Sequence, residues 1–309
     1  MSGPGLLPSG SLAGLVRVID AGARTTLQDL GRPGHAHLGI PASGAADIPA
    51  ATLANRLVGN AEGAPVLETT LRGPELRFDA PVTVAVTGAE VEVTVDGRPA
   101  AMHAPFRVRS GSLVRIGQAT RGLRSYVAVR GGFDAPLTLG SASHDELTGL
   151  GPAPLKPGDR IDLGSHALDA PTVDVAPVAP ILSSPVLHVV PGPRDDWFAP
   201  DALTTLLGVA YTVSDQVNRI GARLRGPQLQ RRTDDELRSE GIARGSIQVP
   251  PSGWPILLLA DHPTTGGYPV IAVVSEADLP AAAQLRPGDI VRFRLRRPPA
   301  AEPRSEDFA

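Results

Sequence analysis

Residues 91–97 read VEVTVDG, with Val91, Val93 and Val95 alternating with Glu92 and Thr94 before an Asp96-Gly97 pair. Side chains two apart on a strand share a face, so this is the pattern of a half-buried strand closed by a tight turn. The run Ile256–Ala260, ILLLA, has no polar interruption and reads as a strand buried on both sides. Working outward from these two stretches, strand signals dominate, and a mainly β chain with a few short helices is expected. One helix is predicted from an Asp47 N-cap to Gly59-Asn60, and a second from Pro200 through Leu207, stopped by Gly208.

The chain of 309 residues is 42% hydrophobic, enough to bury a substantial core, and its length suits two domains. Its 34 glycines and 32 prolines, with only 4% aromatic residues, fit short strands joined by many turns. The net charge of −3 provides no general basic surface for a phosphate backbone, so nucleic acid is not an expected partner. The absence of cysteine excludes disulfides, thiolate nucleophiles and sulfur-ligated metals. Lys156 is the only lysine, and its LKPGD setting is unlike a biotin attachment site. No stretch approaches the roughly 20 apolar residues of a membrane span, and no leader is evident, so a cytoplasmic location is expected.

Residues 164–185 are rich in Pro, Ala and Ser without a period and mark a connection between two halves. The expected organisation is a disordered tail at 1–15, a first domain at 16–165, a linker at 166–185, a second domain at 186–297 and a disordered tail at 298–309. A weak internal repeat is suggested by four pairs of strings. LRGPEL (71–76) returns as LRGPQL (224–229), DGRP (96–99) as SGWP (252–255), VRVI (16–19) as LHVV (187–190) and SLVRI (112–116) as DIVRF (289–293).

Longer motifs cover most of residues 16–295. In the first half they are DAGARTTLQDLGRPG (20–34), IPASGAAD (40–47), LANRLVGN (53–60) and LETTLRGPEL (67–76). In the second they are NRIGARLRGP (218–227), SEGIARGSIQVPPSGWPILLLAD (239–261), TTGGYPV (264–270) and LRPGDIVRF (285–293). Together they resemble the allophanate hydrolase subunit 2 family. The resemblance implies two cyclophilin-like β-barrel domains. It also implies membership of a group that spans the 5-oxoprolinase C subunit, the carboxyltransferase domain of urea carboxylase, and the antagonist of a sporulation-kinase regulator. Its preferred functional implication is the C subunit of an ATP-dependent 5-oxoprolinase, with the A and B subunits or their homologues as partners and a small amide or lactam as substrate. ATP is then used by the complex, no cofactor is bound by this chain alone, and biotin arrives only on a partner. The alternatives are a biotin-dependent carboxyltransferase acting on urea or a similar amide, and a non-catalytic regulatory binding protein. Two departures from the family pattern stand out: SASHDELTGLGPAP at 141–154, and His262 after Asp261 where arginine is usual.

Two loops, 25–44 and 261–270, are expected to meet between the halves and hold most of the candidate site residues, with Arg219, Arg223 and Gln248 on other motifs of the second half. Asp29, Arg32 and Asp261 are the candidate catalytic groups. Gln28, Ser43, Arg219, Arg223, Gln248, Thr265 and Tyr268 are candidates for substrate binding. Arg32 can hold a carboxylate bidentately, and equally Asp29 and Arg32 can pair with each other or with turn amides. Ser43 can donate to a carbonyl or make a plain turn. If 219–223 is a strand, Arg219 and Arg223 share a face. Gly266-Gly267 brings backbone amides close to a ligand or closes a hairpin. His35 and His37 lack a third ligand at suitable spacing, so no metal is expected. No GxSxG elbow and no GxxxxGK[ST] loop is present.

Overall fold

The computed structural model describes residues 14–296 apart from 166, 169–172, 234 and 236. The two expected tails lie, but for residues 14 and 15, outside the described residues. Eleven strands precede residue 163: β1 (Leu15–Asp20), β2 (Arg24–Gln28), β3 (Val66–Thr70), β4 (Glu75–Phe78), β5 (Val82–Glu90), β6 (Val93–Val95), β7 (Arg98–Ala100), β8 (Pro105–Val108), β9 (Leu113–Ile116), β10 (Arg121–Val129) and β11 (Arg160–Asp162). Nine follow: β12 (Val186–Pro191), β13 (Ala210–Val217), β14 (Gly221–Arg225), β15 (Glu240–Gly241), β16 (Ser246–Gln248), β17 (Ile256–Leu258), β18 (Thr265–Gly266), β19 (Val270–Val274) and β20 (Ile290–Leu295). The three α-helices are short: α1 (Ile48–Val58), α2 (Ala202–Gly208) and α3 (Leu279–Ala283). The chain is mainly β, as its alternation predicts.

In the first half, a six-stranded sheet (β11-β1-β4-β9-β6-β7) and a five-stranded sheet (β2-β3-β10-β5-β8) enclose one core. Leu76 and Phe78 from the first sheet meet Val84, Val86 and Val127 from the second. Period-2 alternation does this: Val16 and Val18 are fully buried while Arg17 between them faces out. The Asp96-Gly97 turn has positive φ at both residues, 50° and 77°, as a two-residue hairpin between β6 and β7 requires. Helix α1 lies on β5 and β10 through Ala51, Ala54, Leu57 and Val58. Its ends are those expected, since Asp47 accepts a hydrogen bond from the Ala50 N–H (3.1 Å) and Gly59 caps the C-terminus at φ 72°.

In the second half, β12-β19-β16-β17-β14-β13-β20 closes into a barrel, which leaves that sheet without a free edge. Leu187, Leu224, Ile247, Leu257, Ile271 and Val291 fill it.

The halves do repeat, in a register different from the one the strings suggest. LKPGD (155–159) and LRPGD (285–289) build the same turn. In each, the aspartate accepts from the backbone N–H three residues earlier, Asp159 from Lys156 (2.8 Å) and Asp289 from Arg286 (2.9 Å). Gly158 and Gly288 take φ of 94° and 90°. The strands that follow, β11 and β20, pair antiparallel with β1 and β13, where Val18 faces Leu76 as Val213 faces Leu224. LRGPEL ends on Leu76 whereas LRGPQL begins on Leu224, so the two strings are out of step with the paired leucines and their match is coincidental. SLVRI lies in β9, between β4 and β6, and DIVRF lies in β20, between β12 and β13; these too are not equivalent. Short Gly/Pro/Arg strings recur by composition, and hydrogen-bond pairing is what identifies true counterparts.

The backbone of β10 reaches the interface between the halves by way of a bulge. The β5–β10 register shifts between Arg121 and Ser125, opposite Gly88 at φ 85°. A Cβ on Gly88 would overlap the Arg124 carbonyl. Gly88→Ala is expected to lower stability by roughly 2 kcal/mol or more, read by urea unfolding.

Candidate functional site

The turn Asn218–Ile220 joins β13 to β14 and projects Arg219 from the barrel into the first half. The Asn218 side chain accepts the N–H groups of Ile220 (2.9 Å) and Gly221 (3.1 Å), which shapes the turn. Arg219 is 3% exposed, and its guanidinium is fully occupied. Nε donates to Asp261 Oδ2 (2.7 Å), Nη2 to Asp261 Oδ1 (2.9 Å) and Gln28 Oε1 (3.3 Å), and Nη1 to Glu68 Oε1. Nη2 also donates to the Gly44 carbonyl. One cation from the second half thus meets a carboxylate from each half.

Each carboxylate is itself saturated. Glu68 Oε2 accepts from Ala46 N–H (2.8 Å) and Tyr126 O–H (2.9 Å), and Arg124 Nε lies 3.6 Å from Oε1. Asp261 accepts from Ser43 O–H (2.6 Å) and the Glu146 N–H (3.0 Å). A second tie runs beside it: Gln284, from the barrel side, accepts the N–H groups of Leu123 and Arg124 (both 2.9 Å) and donates to Asp47 Oδ2 (2.8 Å). Arg124 returns the contact by donating to the carbonyls of Ala283 and Asn218. Ala46, Ala260 and Ala283 pack together here and let the two backbones approach.

Burial raises the pKa of Glu68, but Arg219 and Arg124 outweigh it and hold the carboxyl below its usual range. Asp261 follows the same logic, with burial overcome by Arg219. Burial works against the Arg219 charge, and Glu68 and Asp261 more than reverse this, so its pKa is raised. Asp47 differs: burial dominates over Gln284 and Ala50, and its pKa is raised. The Arg219 cluster is therefore a charge-balanced ion network, with neither Glu68 nor Asp261 poised as a base near neutral pH.

A second polar cluster adjoins it on loop 28–34 and segment 141–151. Asp29 accepts from Ser141 O–H and Ser143 O–H (2.6 Å each) and from the N–H groups of Gly31 and Ala142 (2.7 Å each). Arg32, 1% exposed, donates from Nε to Thr138 O (3.3 Å) and from Nη2 to Ser143 O, while its buried Nη1 has no partner among the described residues. His144 lies 3.5 Å from Arg24 Nη2 through Nε2, and its carbonyl accepts from Gln28 (2.9 Å) and lies 3.2 Å from Ser43 Oγ, whose one proton goes to Asp261. Burial, then the Arg24 cation, hold the His144 imidazole below its ordinary pKa, so it is neutral at pH 7. Its buried Nδ1 also makes no hydrogen bond within the described residues.

Residues 38–295 match the family described as carboxyltransferase domain, subdomain A and B. The chain belongs to this carboxyltransferase-domain family. Among its relatives, the C subunit of 5-oxoprolinase from Escherichia coli (strain K12) is 38% identical over 90% of both chains. Urea amidolyase of Saccharomyces cerevisiae is 33% identical over 88% of this chain and 16% of its own length. The crystal structure of Kluyveromyces lactis urea carboxylase superposes with a TM-score of 0.83 at 31% identity, covering 91% of this chain and 27% of that one.

Within this carboxyltransferase fold, Gln28, Ser43, Arg219 and Asp261 come together, and Asp29 and Arg32 sit in the adjoining cluster. Asp29 and Arg32 do not pair; Asp29 takes turn amides and hydroxyls instead. Arg223 does not join them. Strand β14 begins only at Gly221, so Arg219 lies in the preceding turn while Arg223 is exposed on the barrel, and the expected shared face does not exist. Thr265 and Tyr268 are exposed, and Gln248 is buried, donating to the Tyr268 carbonyl (3.1 Å). Thr265-Gly266 is a strand paired with Glu240-Gly241, so the glycines close no hairpin. His35 and His37 lie at a 3-10 turn over Ala36–Leu38, and no cluster that could hold a metal occurs among the described residues. Arg124, Tyr126, His144 and Gln284 complete the site without being candidates on sequence grounds, and so does Glu68, which could line a site from its sequence setting but reads there as structural. Glu68 is the one acid within β3, a signal that was available, and His144 stands in the departing segment 141–154.

Arg219→Met should cost about 3–5 kcal/mol, because it strands buried carboxylates. The wild-type contribution of Glu68 and Asp261 is present above their ordinary pKa values and is lost as pH falls through their depressed folded values. In the variant Asp261 loses its cation, burial raises its pKa, and the sign reverses: acidification from about pH 7 to about pH 5 should stabilise Arg219→Met relative to wild type, as read by the difference between their denaturant midpoints.

Proposed function

We propose that this chain is the C subunit of an ATP-dependent 5-oxoprolinase complex and holds the substrate or its activated form between its two halves. The observation that carries the reading is collinearity with the E. coli 5-oxoprolinase C subunit over 90% of both lengths, against 16% of the yeast urea amidolyase. Lactam opening is slow because resonance makes the amide carbonyl a poor electrophile. ATP bound by the partner subunits would phosphorylate the carbonyl oxygen with release of ADP; water would then add to the activated carbon, the ring C–N bond would break as its nitrogen takes a proton, and phosphate would depart to leave glutamate.

The groups left to this chain are those without internal partners. Arg32 Nη1 is a fixed cationic donor for a carboxylate or a developing oxyanion. The neutral His144 imidazole can accept a proton at pH 7. Asp29 and Asp261, with every oxygen engaged, act here by holding the Ser141–Ser143 segment and Arg219, rather than as bases. The match to a carboxyltransferase family favours one other reading, transfer of a carboxyl group from a biotin carried by a partner to an amide.

Coexpression with the partner subunits, followed by glutamate release from 5-oxoproline and ATP, tests the proposal. Omitting this chain should abolish release. His144→Gln should lower kcat about 100-fold with an unchanged unfolding midpoint. An intact complex that releases no glutamate, yet carboxylates urea when a biotinylated carrier is added, would replace this reading with carboxyl transfer.

A further inference from the structure

Next to the Arg219 network, and joined to it through Ala46, a cleft of about 850 Å3 opens between the halves. Ala46, Ile48 and Pro49 line it from the first half, and Val274, Leu279 and Pro280 from the second, so its walls are apolar. Glu276 and Arg296 are exposed at its rim, one charge of each sign. The charge in its wall is Arg244.

Arg244 donates from Nη2 to the Ala46 carbonyl, on the same residue whose N–H donates to Glu68. No carboxylate among the described residues forms a salt bridge with it, and its buried Nε has no hydrogen-bond partner there. Burial, reinforced by Arg219 and Arg124 nearby, disfavours its charge, while Tyr126 and Glu68 work the other way. With Nη2 on Ala46 and Nε buried, Nη1 is the donor left to a ligand, and a guanidinium in this position is stabilised most by an anion there, in a charge-assisted hydrogen bond such as a carboxylate makes. The apolar walls suit a hydrocarbon body, and the volume is that of an ordinary small-molecule site.

We propose that this cleft binds an amphipathic monocarboxylate, its carboxylate on Arg244 and its apolar body between Ile48-Pro49 and Leu279-Pro280. The site is separate from the unpartnered nitrogens of Arg32 and His144, and its occupation does not depend on which reaction the chain serves. Because the ligand touches both halves, it would also stabilise their docking by mass action.

Calorimetric titration of the full chain with 4-phenylbutyrate and with 4-phenylbutyramide tests this. The acid should bind at least about tenfold more tightly than the amide, and Arg244→Gln should remove that preference. Ala277→Trp, which fills the cleft from an exposed position on its wall, should weaken both compounds while leaving the unfolding midpoint within error. Equal affinity for acid and amide, a preference that survives in Arg244→Gln, or binding of neither compound would overturn the proposal.

Discussion

A guanidinium removed from water is tolerated only where anions and carbonyls replace its hydration, and Arg219 obtains both from across the boundary between the halves. Glu68 from the first half and Asp261 from the second flank it, and Gln28 and Gly44 complete its shell. Everything else at the boundary is arranged to keep that shell intact: the three alanines that let the backbones approach, the bulge at Gly88 that carries Arg124 into place, and Gln284 on Asp47. Buried ion pairs of this kind are modest contributors to net stability compared with apolar packing, yet they fix one geometry because every alternative leaves a bare charge. Here they fix how the barrel sits against the two-sheet half.

That rigidity shapes the chemistry open to the site. With Glu68 and Asp261 held ionised and fully hydrogen-bonded, and Asp29 saturated by Ser141, Ser143 and turn amides, the carboxylates form a frame. Arg32 Nη1, His144 Nδ1 and Arg244 Nε are among the buried nitrogens left without hydrogen-bond partners in the described residues.

Much of this was legible in the sequence, for physical reasons that differ by element. Alternation at 91–97 and the Asp47 and Gly59 caps are local rules, and β6, the Asp96-Gly97 turn and α1 follow them residue by residue. Arg219 and Asp261 are drawn together by motif, and the fold sets them 2.7 Å apart. Arg223 fails as a site residue because a period-2 argument needs the strand to start where the motif does, and Asn218 instead spends residues 218–220 on a turn. Arg124 and Gln284 are invisible locally because their partners lie in other strands and helices; Glu68 stands out as the one acid of β3, but no local pattern encodes its contact with Arg219 across 151 residues. The internal repeat is real in its pairing and wrong in its string matches, since hydrogen bonds fix the strand registers while LRGP recurs by composition.

The central claim is that the Arg219–Glu68 contact couples the halves, and a double-mutant cycle addresses it most directly. Glu68→Gln, Arg219→Met and the pair would be unfolded in urea at pH 7. A coupling energy of about 2 kcal/mol or more between the two positions is the predicted result, with the double variant less damaged than the sum of the singles. Additivity within about 0.5 kcal/mol would contradict the account and show that this ion pair does not couple the halves.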